Sequence, residues 1–338
     1  MIDSNHFNRD AAFTFDIKNP DVAGSSDSIQ WMVELGGSLF CFSEQSISTI
    51  LTADTIDPAA SEPSTRHGYQ ILYSVGSRNP LVARSILQAR KILHSVVLKD
   101  GPEIKKAVDL IWDITKHMLE CESSLHKIYE DIMELMPICD KRISDSKSGT
   151  VIPTLPQVPD LRGRVTNFLA NGKRALEKTH GLLCLFFGAP YKDANFNEYR
   201  DWMRKHKSAH PEVIKLLDQY APWITFVADA RNALDTIHAS PGYEMIVENF
   251  KLLPGNKFTQ PSWRYDFSAK NRKLQPDGTD LLLELDTMLK NILGFLEELY
   301  LLCIQATWDD RYLFALYKLP IKELDQKCPI AYYVSRSM

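Results

Sequence analysis

EIKKAVDLIWDITKHMLECESSLHKIYEDIMELM, residues 103–136, contains no glycine or proline. Along it Ile104, Val108, Ile111, Met118, Cys121, Leu125, Ile128, Ile132 and Leu135 recur every three or four positions, with Thr115 the polar member of the series. That spacing lays an apolar stripe along one face of an α-helix. A Gly-free, Pro-free run of this kind predicts one helix of about 30 residues, roughly 45 Å long.

The pattern extends outward in both directions. Upstream, Pro80 after Asn79 suits the first turn of a helix, and Leu81, Ile86, Ile92, Leu93 and Val97 mark its apolar face up to Gly101-Pro102. Two such helices joined by a short turn predict an antiparallel pair. Residues 29–51 open with Trp31, Met32, Leu35, Leu39 and Phe40 and read as a first helix interrupted by Gly36 and Gly37. Downstream, residues 144–160 carry three prolines and little periodicity, which predicts a linker or exposed loop at 149–160. Helices follow over 161–187, 197–207 and 212–219, and another begins at Pro222 and closes by Pro241-Gly242. Residues 250–267 carry short aromatic runs around Pro254-Gly255-Asn256 and predict a small β-hairpin. Residues 280–308 are apolar on more than one face, which places that helix centrally in a bundle or at a dimer seam. The expected class is mainly α: a helical bundle with long antiparallel helices, an N-terminal helical region at 1–148 and a C-terminal bundle at 161–338.

Composition bounds the function. The 338 residues are 44% apolar and 24% charged, which excludes a disordered, collagenous or rod-like chain. The longest stretch without a charge, residues 179–191, falls short of the about 18–20 apolar residues a membrane helix needs, so no membrane span is expected. The N-terminal residues show no apolar core followed by a small-residue cleavage site, and a cytoplasmic location is the expectation. Six cysteines form no C-x-x-C pair, and His117 and Cys121 have no second pair to complete a zinc set, so neither a metal site nor a cofactor is expected.

The net charge of −4 hides an asymmetry: residues 161–207 carry ten Lys or Arg against four acids, a local +6. Within it Arg174, Lys178, Arg200, Arg204 and Lys205 are candidate phosphate contacts for RNA, against the alternative of a solvated face balanced by acids elsewhere. The six tryptophans read as packing residues rather than base-stacking platforms. His206 and His210 lie four apart, but Lys205 and Lys207 beside them argue for a solvated basic end rather than a metal pair.

Phosphate-binding, dinucleotide, zincin, nucleophile-elbow and EF-hand fingerprints are all absent. What remains is Arg231-Asn232-Ala233-Leu234-Asp235-Thr236-Ile237-His238. On a continuous helix, residues seven apart point within about 20° of each other, so Arg231 and His238 would share a face with Asp235 between them. Their backbones would be separated by a rise of about 10 Å, a gap that side chains can narrow to the width of one phosphate. Three other pairs (Arg174 and His180, Arg200 and His206, Arg204 and His210) fit a similarly loose spacing. Arg231 is preferred because an asparagine follows it, an uninterrupted helix carries it and Asp235 falls on its face.

An arginine, a polar neighbour and a histidine after four to six intervening residues resemble the signature of the higher eukaryote and prokaryote nucleotide-binding (HEPN) superfamily. The match covers eight residues within a candidate domain at 161–318. The resemblance implies a small helical bundle, often dimeric and often a metal-independent ribonuclease, in stress or phage defence. It places Arg231 and His238 at the family's catalytic positions and Asn232 at its frequent polar neighbour, with Asp235 as an orienting group. Six intervening residues are the long end of the family's range. The implied partners are RNA and a second copy of the chain. The competing reading is a non-catalytic helical interaction protein that docks a protein partner, in which Arg231 and Asp235 form an ordinary i,i+4 helix pair.

Overall fold

The computed structural model describes residues 28–99, 101–146, 154–188, 195–207, 210–235 and 240–336. It corrects the expected class. The described residues are 54% helical and 19% strand, and their strands form antiparallel sheets of four, three, two and two members. The fold is mixed α and β rather than a mainly α bundle of long antiparallel helices. The compact units also divide elsewhere than the 1–148, 149–160 and 161–338 reading places them. Among the described residues, one unit gathers 28–97 with 103–112 and 309–336, and the other holds those of 98–102 and 113–308.

The first unit begins with β1 (Ile29–Leu35), β2 (Ser38–Ser43), β3 (Ile47–Leu51), the short α1 (Ala53–Ile56) and β4 (Gly68–Tyr73), paired in that strand order as a meander. The predicted first helix is thus a hairpin, and the reason is local. Val33 and Leu35 are buried while Gln30, Met32 and Glu34 are exposed, a period of two. Gly36 and Gly37 take φ of +57° and +82°, the left-handed pair that a two-residue hairpin turn demands. The two glycines are the turn that pairs Leu35 with Ser38.

Asn79 caps the following helix by accepting a hydrogen bond from the Leu81 amide at 2.7 Å. That helix runs as α2 (Pro80–Val82), a π-helical turn (Ala83–Leu87) and α3 (Gln88–Leu93). It stops well before Gly101. Trp112, near the start of α4 (Ile104–Ser146), closes this core, with Phe40, Phe42 and Tyr73 edge-on to it at 5.1, 5.7 and 6.2 Å.

α4 overruns the predicted end at residue 136 by passing through Pro137. A proline removes the bond to the carbonyl four residues back; here that is Met133, which is 48% exposed, so water can satisfy the freed group. In the second unit α5 (Leu161–Phe187) runs back along α4. Lys178 pairs with Asp113 at 3.6 Å, Asn171 meets His117 at 3.0 Å, and the Phe168 carbonyl accepts from the Cys121 thiol at 3.3 Å. Then follow α6 (Phe196–His206) and α7 (Pro211–Asp235). Two small sheets come next: β5 (Glu244–Glu248), β8 (Ser262–Asp266) and β9 (Thr279–Asp280) make one, and the hairpin of β6 (Lys251–Leu253) and β7 (Lys257–Thr259) the other. The small β-hairpin expected around Pro254-Gly255-Asn256 is that of β6 and β7, while the end of the 250–267 stretch, β8, joins the other sheet.

α8 (Leu281–Thr307), capped by Asp280 on the Leu283 amide at 2.9 Å, packs on α5 and α7 with Leu285, Ile292, Phe295, Leu296, Leu299 and Tyr300 buried. The chain then returns to the first unit as β10 (Phe314–Lys318) and β11 (Tyr332–Arg336). The buried side-chain oxygen Oε1 of Gln88 ties that return to α3, accepting from the amides of Ala331 and Tyr332 at 2.6 and 2.8 Å. Of the predicted linker, residues 149–153 lie outside the described residues. Residues 154–160 are irregular and mostly exposed, with Val158 alone buried and its amide donating to Asn249 Oδ1 at 3.0 Å. Among the described residues no helix is long and apolar enough to cross a membrane.

Candidate functional site

α7 carries the residues singled out above. Its last turns bury Val227, Ala230, Ala233 and Leu234, an apolar face that fixes the helix against α5 and α8. Arg231 and Asn232 fall beside that face and are half-buried. Their side chains meet, with Arg231 Nη1 donating to Asn232 Oδ1 at 3.3 Å. The asparagine thus orients the guanidinium. The described helix reaches Asp235, whose side chain is outside the described residues, as is all of His238. The shared face expected for Arg231, Asp235 and His238 therefore lies outside the described residues at its C-terminal end.

Two further groups meet this end of α7. Arg162, in the first turn of α5, donates from Nη2 to the carbonyl of Leu234 at 2.9 Å. The last carbonyls of a helix lack partners within it and carry its negative dipole end, so a guanidinium is well placed there. On another flank, about 160° around the helix from Arg231, Asp229 has a side chain only 8% exposed. It accepts Lys270 Nζ at 2.7 Å and lies 3.0 Å from Arg272 Nη1. The Lys270 ammonium also sits 4.3 Å from the centre of the Tyr243 ring, and Tyr243 donates its hydroxyl to the Asp229 carbonyl at 3.1 Å. The hydrogen bond to Asp229 raises the pKa of Lys270. Sequence reasoning missed this cluster. Its one local signal is the cation run at Lys270, Arg272 and Lys273, which does not reveal a buried acid some 40 residues earlier.

The expected basic surface is partly neutralised within the fold. Arg204 holds Asp218 through two bonds from Nη2, at 2.7 and 2.8 Å, and Asp201 at 3.1 Å. Arg200 meets Asp201 at 3.1 Å and Asp218 at 3.5 Å. Lys178 faces Asp113, and Arg164 pairs with Asp131 of α4. Arg174 and Lys205 are exposed and carry no ion pair to a described residue. Lys205 lies in the last turn of α6, where a cation complements the helix dipole.

The basic residues of α6 are not gathered around Arg231. Arg162 meets the end of α7 and Phe187 packs on His210 just before its start, ring centres 5.0 Å apart, so α5 and α7 are antiparallel. Asp218, the anchor of Arg200 and Arg204, lies thirteen residues before Arg231, about 20 Å along the helix.

Other chemistry-bearing residues are accounted for by packing. His180 and Cys184 resemble a histidine and thiol dyad, with Nδ1 and Sγ 3.6 Å apart. Burial raises the Cys184 pKa and lowers that of His180, so both stay neutral and no thiolate forms. His206 packs on Trp202 and His210 on Phe187, each against an aromatic ring. All six cysteines are free thiols. No group of three metal-ligating side chains occurs among the described residues. No protein-family model, curated protein or solved structure matches this chain.

Proposed function

We propose that the second unit carries an RNA-cleaving or RNA-binding site of the HEPN kind, centred on Arg231, Asn232 and His238 with Asp235 as the orienting acid. The observation that carries this reading is the hydrogen bond from Arg231 to Asn232 on the last turn of α7. It holds a guanidinium in a fixed direction beside the buried face, where it can meet the equatorial oxygens of a phosphodiester.

The chemistry is transesterification. The ribose 2′-oxygen attacks phosphorus as its proton passes to the imidazole of His238, the bond from phosphorus to the 5′-oxygen breaks, and a proton is delivered to that leaving oxygen. A 2′,3′-cyclic phosphate remains. Imidazole, whose ordinary pKa is about 6.5, is the side chain chemically suited to both proton transfers near neutral pH. A second copy of the chain would supply a second motif and so separate acid from base. DNA, lacking the 2′-hydroxyl, is not cleaved by this route.

The test is incubation of the purified protein with a mixed RNA pool in EDTA, wild type beside Arg231→Ala and His238→Ala. The expected result is cyclic-phosphate ends with wild type and their loss in both variants. No cleavage, or cleavage that neither substitution alters, transfers the assignment to a protein-docking role. A specific observation favours that second reading: an open groove of about 340 Å³ between α4 and α8 is lined by Leu125, Tyr129 and Leu282 and rimmed by Glu122, His126 and Asp286. Tyr129 and Met133, one turn apart on α4, are 47% and 48% exposed.

A further inference from the structure

We infer that Arg162 is a second phosphate-binding guanidinium at the end of α7, beside Arg231, an inference that rests on the RNA site proposed above. The chain enters α5 through Asp160-Leu161-Arg162-Gly163-Arg164. Asp160 adopts φ of +47°, and its carboxylate folds over Gly163, where an added Cβ would lie 2.4 Å from Oδ1. A larger residue at 163 would turn this carboxylate aside.

Residues two apart on a helix point about 160° away from each other, and the two arginines accordingly reach different helices. Arg164 goes to α4, bonding the Lys127 carbonyl at 3.2 Å and the Asp131 carboxylate. Arg162 goes to α7 and the Leu234 carbonyl. Leu234 is three residues after Arg231, one turn on and about 60° around, so both arginines flank the same turn of α7.

Charge separates Arg162 from most cations of this segment; Arg174 and Lys205 also lack a described carboxylate, but no hydrogen bond to a described residue fixes either side chain. Arg164, Lys173, Lys178, Arg200 and Arg204 each lie within 4 Å of a carboxylate. Arg162 bonds a carbonyl, and no described carboxylate pairs with it. A carbonyl fixes the side chain in place without cancelling its charge. A guanidinium has five N–H donors, so most of them stay available for a phosphate oxygen. Orientation by a backbone group combined with an intact positive charge is what a phosphate contact requires.

The experiment measures binding of a fluorescein-labelled oligouridylate by anisotropy across about 50 to 200 mM KCl. It compares wild type, Arg162→Gln, Arg162→Lys and Arg231→Ala. Each phosphate contact to a single strand contributes about 0.7 to the slope of log affinity against log salt. Arg162→Gln is expected to bind about tenfold more weakly and to lose about that much slope. Arg162→Lys keeps the slope while losing affinity, because the charge stays and the planar fork goes. A residue that only caps α7 would lower the melting temperature and leave the slope alone.

Wild-type affinity and slope in Arg162→Gln, with binding weakened by Arg231→Ala, overturns the role of Arg162 and leaves the RNA site standing. A wild type that neither binds nor cleaves RNA overturns the RNA site and this inference together. Should Arg162→Gln fail to fold, Arg162→Lys decides, since affinity equal to wild type overturns the inference.

Discussion

Asp229 and Lys270, 41 positions apart, meet as a carboxylate and an ammonium 2.7 Å from each other with the acid almost wholly buried. Together with Arg272 at 3.0 Å the pair fastens the segment after β8 to the side of α7. The acid is shared by two cations, 44% and 27% exposed, so water screens the ends of the bridge but not its centre.

Asp229→Asn keeps the shape and removes the charge. The expected loss is about 1–3 kcal/mol, the range for hydrogen bonds to charged groups, read from urea unfolding. The Lys270 pKa is raised, so its stabilising contribution is complete below the unfolded lysine value of about 10.4 and is lost as pH rises through the higher folded value. The difference between wild type and variant should therefore hold steady from about pH 7 to pH 9 and shrink above the lysine range. An unchanged urea midpoint would refute the fastening role.

His180 has the opposite dependence. It is 3% exposed, edge-on to Phe196 and Tyr199 at 5.3 and 5.2 Å, and burial lowers its pKa. The unfolded chain therefore binds a proton more readily than the folded one. Stability from keeping this ring neutral is present above the unfolded value of about 6.5 and is lost as pH falls from there towards the folded value. His180→Phe should show a smaller fall in melting temperature than wild type between about pH 7.5 and pH 5.5. The lowered groups His94 and His210 remain in both proteins and cancel from the comparison. Equal falls would assign the acid sensitivity elsewhere.

Trp112 is 3% exposed and surrounded by Phe40, Phe42 and Tyr73. Trp112→Ala should cost about 3–5 kcal/mol in the first unit, the usual range for an aromatic ring deleted from a core. Because the two units need not unfold together, the loss is best read by hydrogen exchange of the β1 to β4 amides. Protection there equal to wild type would contradict the assignment of Trp112 to that core.

Asp218 shares Arg200 and Arg204 with Asp201, and removing its charge leaves one carboxylate for two guanidinium groups. Asp218→Asn should strengthen binding of a single-stranded RNA and steepen its salt dependence. Arg204→Ala should change binding less, since its charge is already met within the fold. Weaker binding on removing Asp218 would show that these arginines need their carboxylate to stay in place.

Read alone, the sequence reached the features that follow from local chemistry. The stripe on 103–136, Pro80 after Asn79 and the apolar run of 280–308 each specify a helix through spacing and backbone preference, and α4, α2 and α8 lie there. Arg231 with Asn232 was likewise visible, because neighbours on one turn are related by the helix itself. The strands were harder. Trp31, Val33 and Leu35 alternate over only seven residues, and a run that short fits both periods unless Gly36-Gly37 is read as a turn.

What no local pattern contains is which distant groups meet. Tertiary packing placed the Asp218 carboxylate of α7 on the arginines of α6, brought Arg162 to the last turn of α7, and buried Asp229 beneath a lysine far along the chain. It also split α4 between two units and carried β10 and β11 back to the first. A charge counted along the chain is an average over neighbours in sequence, whereas the field a phosphate meets is set by neighbours in space.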